Sequence, residues 1–260
     1  AAANGILWVN AAGNQAQRHW SGPWRNDDDD SWLNFAATDE TNTITVAGGT
    51  PVTAVLKWDD PFGASCNDYD LYLLRIVGQG RAQIVAGSGW PQNCSSDPVE
   101  TFTYVAPTSD SYHLAIRRYD ASGSSNFHLY TFYQNLEYQV AAGSLVEPAD
   151  NSNALSAGAV PWFDPDVIEY FSSRGPTSDG RLKPDVAGPD GVSNATYGAF
   201  DGTSAATPHA AAAAALVKQA NPGFGPAEVK AYLEGRAEDL GPDGKDITYG
   251  SGRLQLGPLR

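Results

Sequence analysis

The chain has 260 residues, enough for one large domain or two ordinary ones and for a sizeable buried core. Its 30 acidic and 16 basic side chains leave a formal charge of −14, which argues against nucleic acid or an anionic membrane as partner. No apolar run approaches the roughly 20 residues that span a bilayer, and no signal peptide is visible; methionine is absent even at position 1, as expected of a mature or excised piece.

In chain order, the Ala-rich start and the Asn4-Gly5 stop read as a helix end. A short apolar strand at Ile6–Val9 and a turn at Gly13 follow, which suits a parallel sheet buried on both faces. Residues 15–35 are polar and carry Trp20, Trp24 and Trp32 around Asp27-Asp28-Asp29-Asp30. Four consecutive carboxylates repel one another and read as a solvated loop; a structural Ca²⁺ there stays open, although the spacing fits no defined calcium loop. His19, beside an aromatic residue, reads as a surface histidine.

From about residue 41 to 134 the texture becomes short β-rich runs separated by turn signals. Strands are expected near residues 43–47, 52–58, 70–77, 82–86, 100–105, 111–118 and 126–133, several with period-two alternation. Such spacing without a helical run implies an antiparallel β-sandwich. Cys66 and Cys94, the two cysteines, both fall here without metal-ligand spacing. Free thiols would suit a cytosolic protein and a bridge an exported one; the bridge is the reading taken. Asp68 and Asp70 enter one strand as Ca²⁺ ligands or as a plain turn, and His113 and His128 read as structural.

After residue 137 the α/β texture returns. Residues 148–160 read as a loop leading into a buried strand. The stretch Gly202-Thr203-Ser204-Ala205-Ala206-Thr207-Pro208-His209 reads as a tight turn opening into a buried Ala-rich helix. Ser204 then sits at a helix N-terminus, where free N–H groups favour developing negative charge; a capping role for Thr203 or Ser204 is the plainer alternative. Asn221-Pro222-Gly223 ends this helix, and Pro226 opens an amphipathic one with Val229, Tyr232 and Leu233 at helical spacing.

Several of these stretches together resemble the subtilisin-like serine proteases (subtilases). Residues 202–209 resemble the nucleophile motif G-T-S-x-A-x-P-H, and Ala11-Ala12-Gly13-Asn14 resembles the A-A-G-N strand end. Phe171-Ser172-Ser173-Arg174-Gly175-Pro176 and Lys183-Pro184-Asp185-Val186-Ala187 are similar to the family's F-S-S-R-G-P and K-P-D-V segments, as Tyr249–Gly252 is to its closing Y-G-x-G. Where the family usually has A-P-G, this chain has Gly188-Pro189-Asp190-Gly191, and the region after the nucleophile motif is all Ala. The strand-entry string Asn67-Asp68-Tyr69-Asp70-Leu71 resembles, more loosely, sandwich domains appended to secreted peptidases.

The resemblance implies that Ser204 is the nucleophile, that Asn14 and the Ser204 N–H form the oxyanion hole, and that Ala11, Ala12, Gly13 and Thr203 contribute to substrate binding. His209 belongs to the motif without being the base. The D-S/T-G and H-G-T motifs that would carry the Asp and His are not found. The chain is therefore expected to be the C-terminal part of a secreted endopeptidase: an α/β parallel-sheet domain interrupted by an antiparallel β-sandwich, with segments 1–35, 36–136 and 137–260. Its partners would be a protein or peptide substrate and an upstream segment carrying Asp and His, and no cofactor or metal would be needed for the chemistry. Truncation, proteolytic excision and a two-chain enzyme all fit, and alone the chain should be inactive. The alternative from another class is a protein- or polysaccharide-binding sandwich on an inert α/β scaffold.

Overall fold

A computed structural model describes residues 1–257. In chain order the strands are β1 (Trp8–Ala11), β2 (His19–Pro23), β3 (Asn42–Val46), β4 (Pro51–Trp58), β5 (Asp68–Val77), β6 (Arg81–Ser88), β7 (Val99–Val105), β8 (Asp110–Asp120), β9 (Asn126–Thr131), β10 (Ala154–Pro161), β11 (Val186–Asp190), β12 (Val192–Asn194) and β13 (Gly198–Phe200). The helices α1 (Thr203–Ala220) and α2 (Pro226–Arg236) follow. The chain divides into two compact units, one of Ala1–Ala16 with Ala141–Arg260 and the other Gln17–Val140.

The first unit is built on a parallel sheet of order β1-β10-β11. In β10 the run Ala-Leu-Ser-Ala-Gly-Ala-Val-Pro is buried at every position, because both faces and both edges of this central strand are covered. The edge strand β1 departs from the expected two-sided burial: Trp8 is exposed and Val9, Asn10 and Ala11 are half-buried. In α1, Ala206, Ala210, Ala213, Ala214 and Val217 face inward at helical spacing, while Ala211, Ala212, Ala215 and Leu216 are exposed. The helix is thus one-sided rather than fully buried. Its small residues let it lie close on Leu155 and Ala157 of β10 and Val186 of β11, with Val229 and Leu233 of α2 completing the core.

Asp185, 0 % exposed, ties these layers together. It faces the ammonium groups of Lys183 (2.5 Å), Lys230 (3.0 Å) and Lys245 (3.0 Å) and accepts the Ser156 N–H of β10 at 2.8 Å. Burial pushes its pKa up, but the three lysines outweigh that and hold the carboxyl below the usual range. Burial moves Lys183 the other way, down to about 8.

The second unit carries two four-stranded antiparallel sheets, β2-β9-β4-β7 and β3-β8-β5-β6. Alternation sets which face is inside: in β4 every second residue is buried. Val52, Leu56, Phe127 and Leu129 from one sheet share a single core with Ile44, Leu71, Leu114 and Ile116 from the other. Cys66 and Cys94 are bonded across 28 residues.

Residues 17–35 depart from the expected boundary at residue 35, because they belong to this unit. β2 pairs antiparallel with β9, and Trp20, Leu33 and Phe35 enter the aromatic core, where their apolar area is removed from water. His19 is a further correction: it is 0 % exposed, not a surface residue. Its Nδ1 lies 2.6 Å from the Val140 carbonyl and its Nε2 2.9 Å from His128 Nδ1. With both ring nitrogens partnered, a neutral imidazole can be buried. Burial lowers the pKa of His19 to about 3 and that of His128 to about 4.

Candidate active site

Two chain turns meet at the C-terminal ends of the parallel strands. The first follows β1. Its Ala12 N–H donates to the Ala157 carbonyl at 2.9 Å, and Gly13 adopts φ +108°, open to glycine alone at low cost. A Cβ at Gly13 would come within 2.9 Å of Ser173 Oγ and 3.0 Å of Val146 Cγ2. The same Ser173 hydroxyl accepts the Gln15 N–H at 2.9 Å, and the Ser173 N–H donates to the Gly13 carbonyl at 2.9 Å. The F-S-S-R-G-P stretch therefore clamps the A-A-G-N turn, a role its sequence did not announce.

The second turn opens α1. Gly202, at φ +114°, donates its N–H to Asp190 Oδ2 at 2.6 Å. The Thr203 N–H and hydroxyl both donate to Asn14 Oδ1, each at 3.0 Å, and the Thr203 hydroxyl accepts the Gly13 N–H at 3.2 Å. Asn14 Oδ1 is thereby fixed, which determines where its amide nitrogen goes. A Cβ built on Gly202 would lie 3.1 Å from Asn14 Nδ2 and 3.7 Å from the Ser204 backbone nitrogen. Two amide nitrogens thus border one point over the Gly202 α-carbon, and Ser204 beside it is exposed.

Further along α1, the Thr207 hydroxyl donates to the Thr203 carbonyl at 2.7 Å, and His209 Nδ1 lies 2.8 Å from the Ala205 carbonyl. Pro208, inside the helix, has no N–H to offer the Ser204 carbonyl. Among the described residues no imidazole hydrogen-bonds Ser204, and His209 is the sole histidine of this unit.

Of the expected wall residues, Ala11 and Gly13 are half-buried while Ala12 and Thr203 are fully buried. Thr203, expected to contribute to substrate binding, is buried, its hydroxyl donating to Asn14 Oδ1 and accepting the Gly13 N–H. Asp190 is the polar residue that sequence reading passed over. It is 0 % exposed, and its second oxygen, Oδ1, is buried without a hydrogen-bond partner among the described residues.

Two sets of carboxylates could hold a cation. Asp28, Asp30 and Glu40 bring one oxygen each within 4.8 Å of one another on the surface of the β unit. Asp68 and Asp70 are 6 % and 5 % exposed, and Asp68 Oδ1 has no hydrogen-bond partner among the described residues.

A parallel sheet with a serine at a helix N-terminus beside an asparagine amide defines the class as α/β. Comparison with known proteins then identifies the family: the model of the Subtilase family matches residues 1–252, and the chain belongs to it. It is similar to Subtilisin Savinase of Lederbergia lenta, 38 % identical over 111 residues, covering 43 % of this chain and 39 % of that protein. Alkaline elastase YaB of a Bacillus species is 36 % identical over 187 residues, 70 % of this chain and 46 % of that protein. The match thus spans less than half the length of either relative. Among solved structures, the Clostridium perfringens CspB protease shares the fold with TM-score 0.66 at 15 % identity, covering 95 % of this chain and 58 % of that one.

Proposed function

We propose that this chain supplies the nucleophile and oxyanion-hole part of a secreted subtilisin-like serine endopeptidase. The observation that carries the reading is that Asn14, fixed by Thr203, places its Nδ2 within 3.1 Å of a point over Gly202 from which the Ser204 backbone nitrogen is 3.7 Å away. In the proposed reaction Ser204 Oγ attacks a peptide carbonyl and its proton passes to a histidine of an upstream segment, oriented there by an aspartate. The carbonyl oxygen takes up the negative charge and is held by the Asn14 amide and the Ser204 N–H, aided by the helix dipole. The C–N bond then breaks, the departing amine receives the histidine's proton, and water later releases the acyl group from Ser204. Backbone of Ala11, Ala12 and Gly13 forms one wall of the pocket for the residue before the scissile bond.

In the same reading, the β unit is a sandwich inserted between the oxyanion asparagine and the nucleophile. The Cys66–Cys94 bond supports an oxidising, extracellular setting. The chemistry itself uses no cofactor; a structural Ca²⁺ at Asp28, Asp30 and Glu40 suits the all-oxygen donor set. Calorimetric titration with Ca²⁺ tests it, and absence of binding heat at millimolar ion removes it.

A fluorophosphonate probe tests the enzyme reading. Attack by Ser204 Oγ forms the O–P bond, breaks P–F, releases fluoride and gives the hydroxyl proton to the base. The chain joined with its upstream segment is expected to be labelled at Ser204, and the Ser204→Ala variant to remain unlabelled. Persistent inertness of the joined protein would leave the β unit as a binding module on a silent scaffold.

A further inference from the structure

We propose that Asp190 is a positioning residue for the nucleophile turn, its carboxylate anchoring the Gly202 amide and so setting the direction of the Ser204 N–H. The inference rests on the serine-peptidase reading above and adds a residue that the family's usual A-P-G segment does not provide.

Three successive amides carry the argument. The Gly202 N–H goes to Asp190 Oδ2 at 2.6 Å and the Thr203 N–H to Asn14 Oδ1 at 3.0 Å. The Ser204 N–H is the next in line, and its nitrogen lies 3.7 Å from the point over Gly202 that Asn14 Nδ2 approaches to 3.1 Å. Peptide planes are rigid, and the two soft dihedrals between the Thr203 and Ser204 N–H groups are held by the first turn of α1, closed by the Ala205 N–H on the Gly202 carbonyl at 2.8 Å, so anchoring the first two amides orients the third. Gly202 has no side chain to hold it, and its φ of +114° belongs to a region with few restraints. An external anchor is what removes that freedom.

Asp190 is well seated for the task. It is the last residue of β11, in register with Pro161 of β10, and its carbonyl accepts the Trp162 N–H at 3.0 Å. The side chain is thus a short post from the central sheet to the turn. Its placement is costly. Oδ1 is buried without a partner, and the neighbouring charges are Asp201 and Glu169, both acidic. Burial first, then Asp201, push its pKa above the usual carboxylate range, although the Gly202 N–H pulls the other way. Burial, Asp190 and Asp201 likewise raise Glu169. A side chain kept at such a cost beside a nucleophile points to a functional constraint rather than to packing.

The test uses the protein with its upstream segment and a fluorophosphonate probe, separating the maximal labelling rate, kinact, from the probe affinity, KI. Asp190→Ala is expected to lower kinact about tenfold with KI changed less than twofold, as when an oriented donor loses its support. Asp190→Asn keeps an acceptor for the Gly202 amide and is expected to restore kinact to within threefold of the parent. Thermal melting, read alongside, shows the folded fraction of each variant. Equal kinact in the parent and Asp190→Ala would overturn the inference, as would a loss matched by unfolding that Asp190→Asn does not rescue. An unlabelled parent would instead sink the peptidase reading. Anchoring is then decided by amide hydrogen exchange at Gly202: faster exchange in Asp190→Ala than in Asp190→Asn supports it, and identical exchange refutes it.

Discussion

Thr203 and Asn14, 189 positions apart in the chain, share a two-donor contact: the Thr203 N–H and hydroxyl both end on Asn14 Oδ1. A carboxamide held by its oxygen presents its nitrogen in one direction. The direction of the Asn14 amide is therefore set by the residue next to Ser204. Asn14→Leu is expected to slow Ser204 labelling by about 10²–10³. Thr203→Val, which keeps the shape and loses the hydroxyl, should cost about tenfold through a loosened Asn14. Unchanged labelling rates in Asn14→Leu would contradict the arrangement.

Gly202 sits where the two amides converge. An alanine there would need φ +114° and would put its Cβ 3.1 Å from Asn14 Nδ2, in the place where the proposed reaction puts the substrate oxygen. Gly202→Ala is expected to abolish labelling while circular dichroism stays native. A labelled Gly202→Ala protein would show that the point over Gly202 is not the oxyanion position.

Asp185 faces three lysines, of which Lys245 also pairs with Glu234 at 2.7 Å. Asp185→Asn leaves three ammonium groups facing a neutral amide and should destabilise the α/β unit by about 3–5 kcal/mol. The sign with pH is definite. A carboxyl whose folded pKa lies below its unfolded value stabilises above about pH 4, and that contribution is lost as pH falls below it. Denaturant unfolding of the parent between pH 5 and 2, compared with Asp185→Asn, reads this out; parallel curves would remove the assignment.

The histidine pair loads the β unit in a higher pH window. His19 and His128 have folded pKa values of about 3 and about 4 against an ordinary 6.5, so the unfolded chain binds protons that the folded one refuses. Stability should fall as pH drops below about 6.5, by up to about 1.4 kcal/mol per pH unit for each imidazole. His19→Gln with His128→Gln should flatten the melting temperature between pH 6.5 and 4, and an unchanged slope would count against it.

Reduction of Cys66–Cys94 frees a segment of 28 residues. The chain-entropy argument gives a loss of about 3–4 kcal/mol, read as a lower melting temperature in reductant. A Cys66→Ser variant that melts with the oxidised parent would show the bond to be idle.

The seven strands of the β unit between residues 41 and 134 were legible because alternation and turn residues are local signals, and β3 to β9 fall at those places. The turn that opens α1 at Gly202 and Thr203 is legible through its motif. Other features depend on partners far away in the chain. His19 reads as exposed until Val140 and His128 supply its hydrogen bonds. Residues 17–35 look like a polar continuation of the first segment until β2 finds β9. Asp190 looks like a turn residue until Gly202 arrives from beyond a hairpin to use it. The partner of the Thr203 hydroxyl shows only once Asn14, from the start of the chain, is placed beside it.

β1 and β10 are hydrogen-bonded neighbours, yet the whole β unit is threaded between them. Closing so large a loop from a disordered chain is entropically slow. The β unit shortens the path by bringing its own ends together, since the Leu136 and Val140 N–H groups donate to the Gln17 and His19 carbonyls at 3.0 and 2.8 Å. Assembly should therefore run from the inside out. The Gln17–Val140 unit is expected to form before β1 pairs with β10, since the loop left to close is then short.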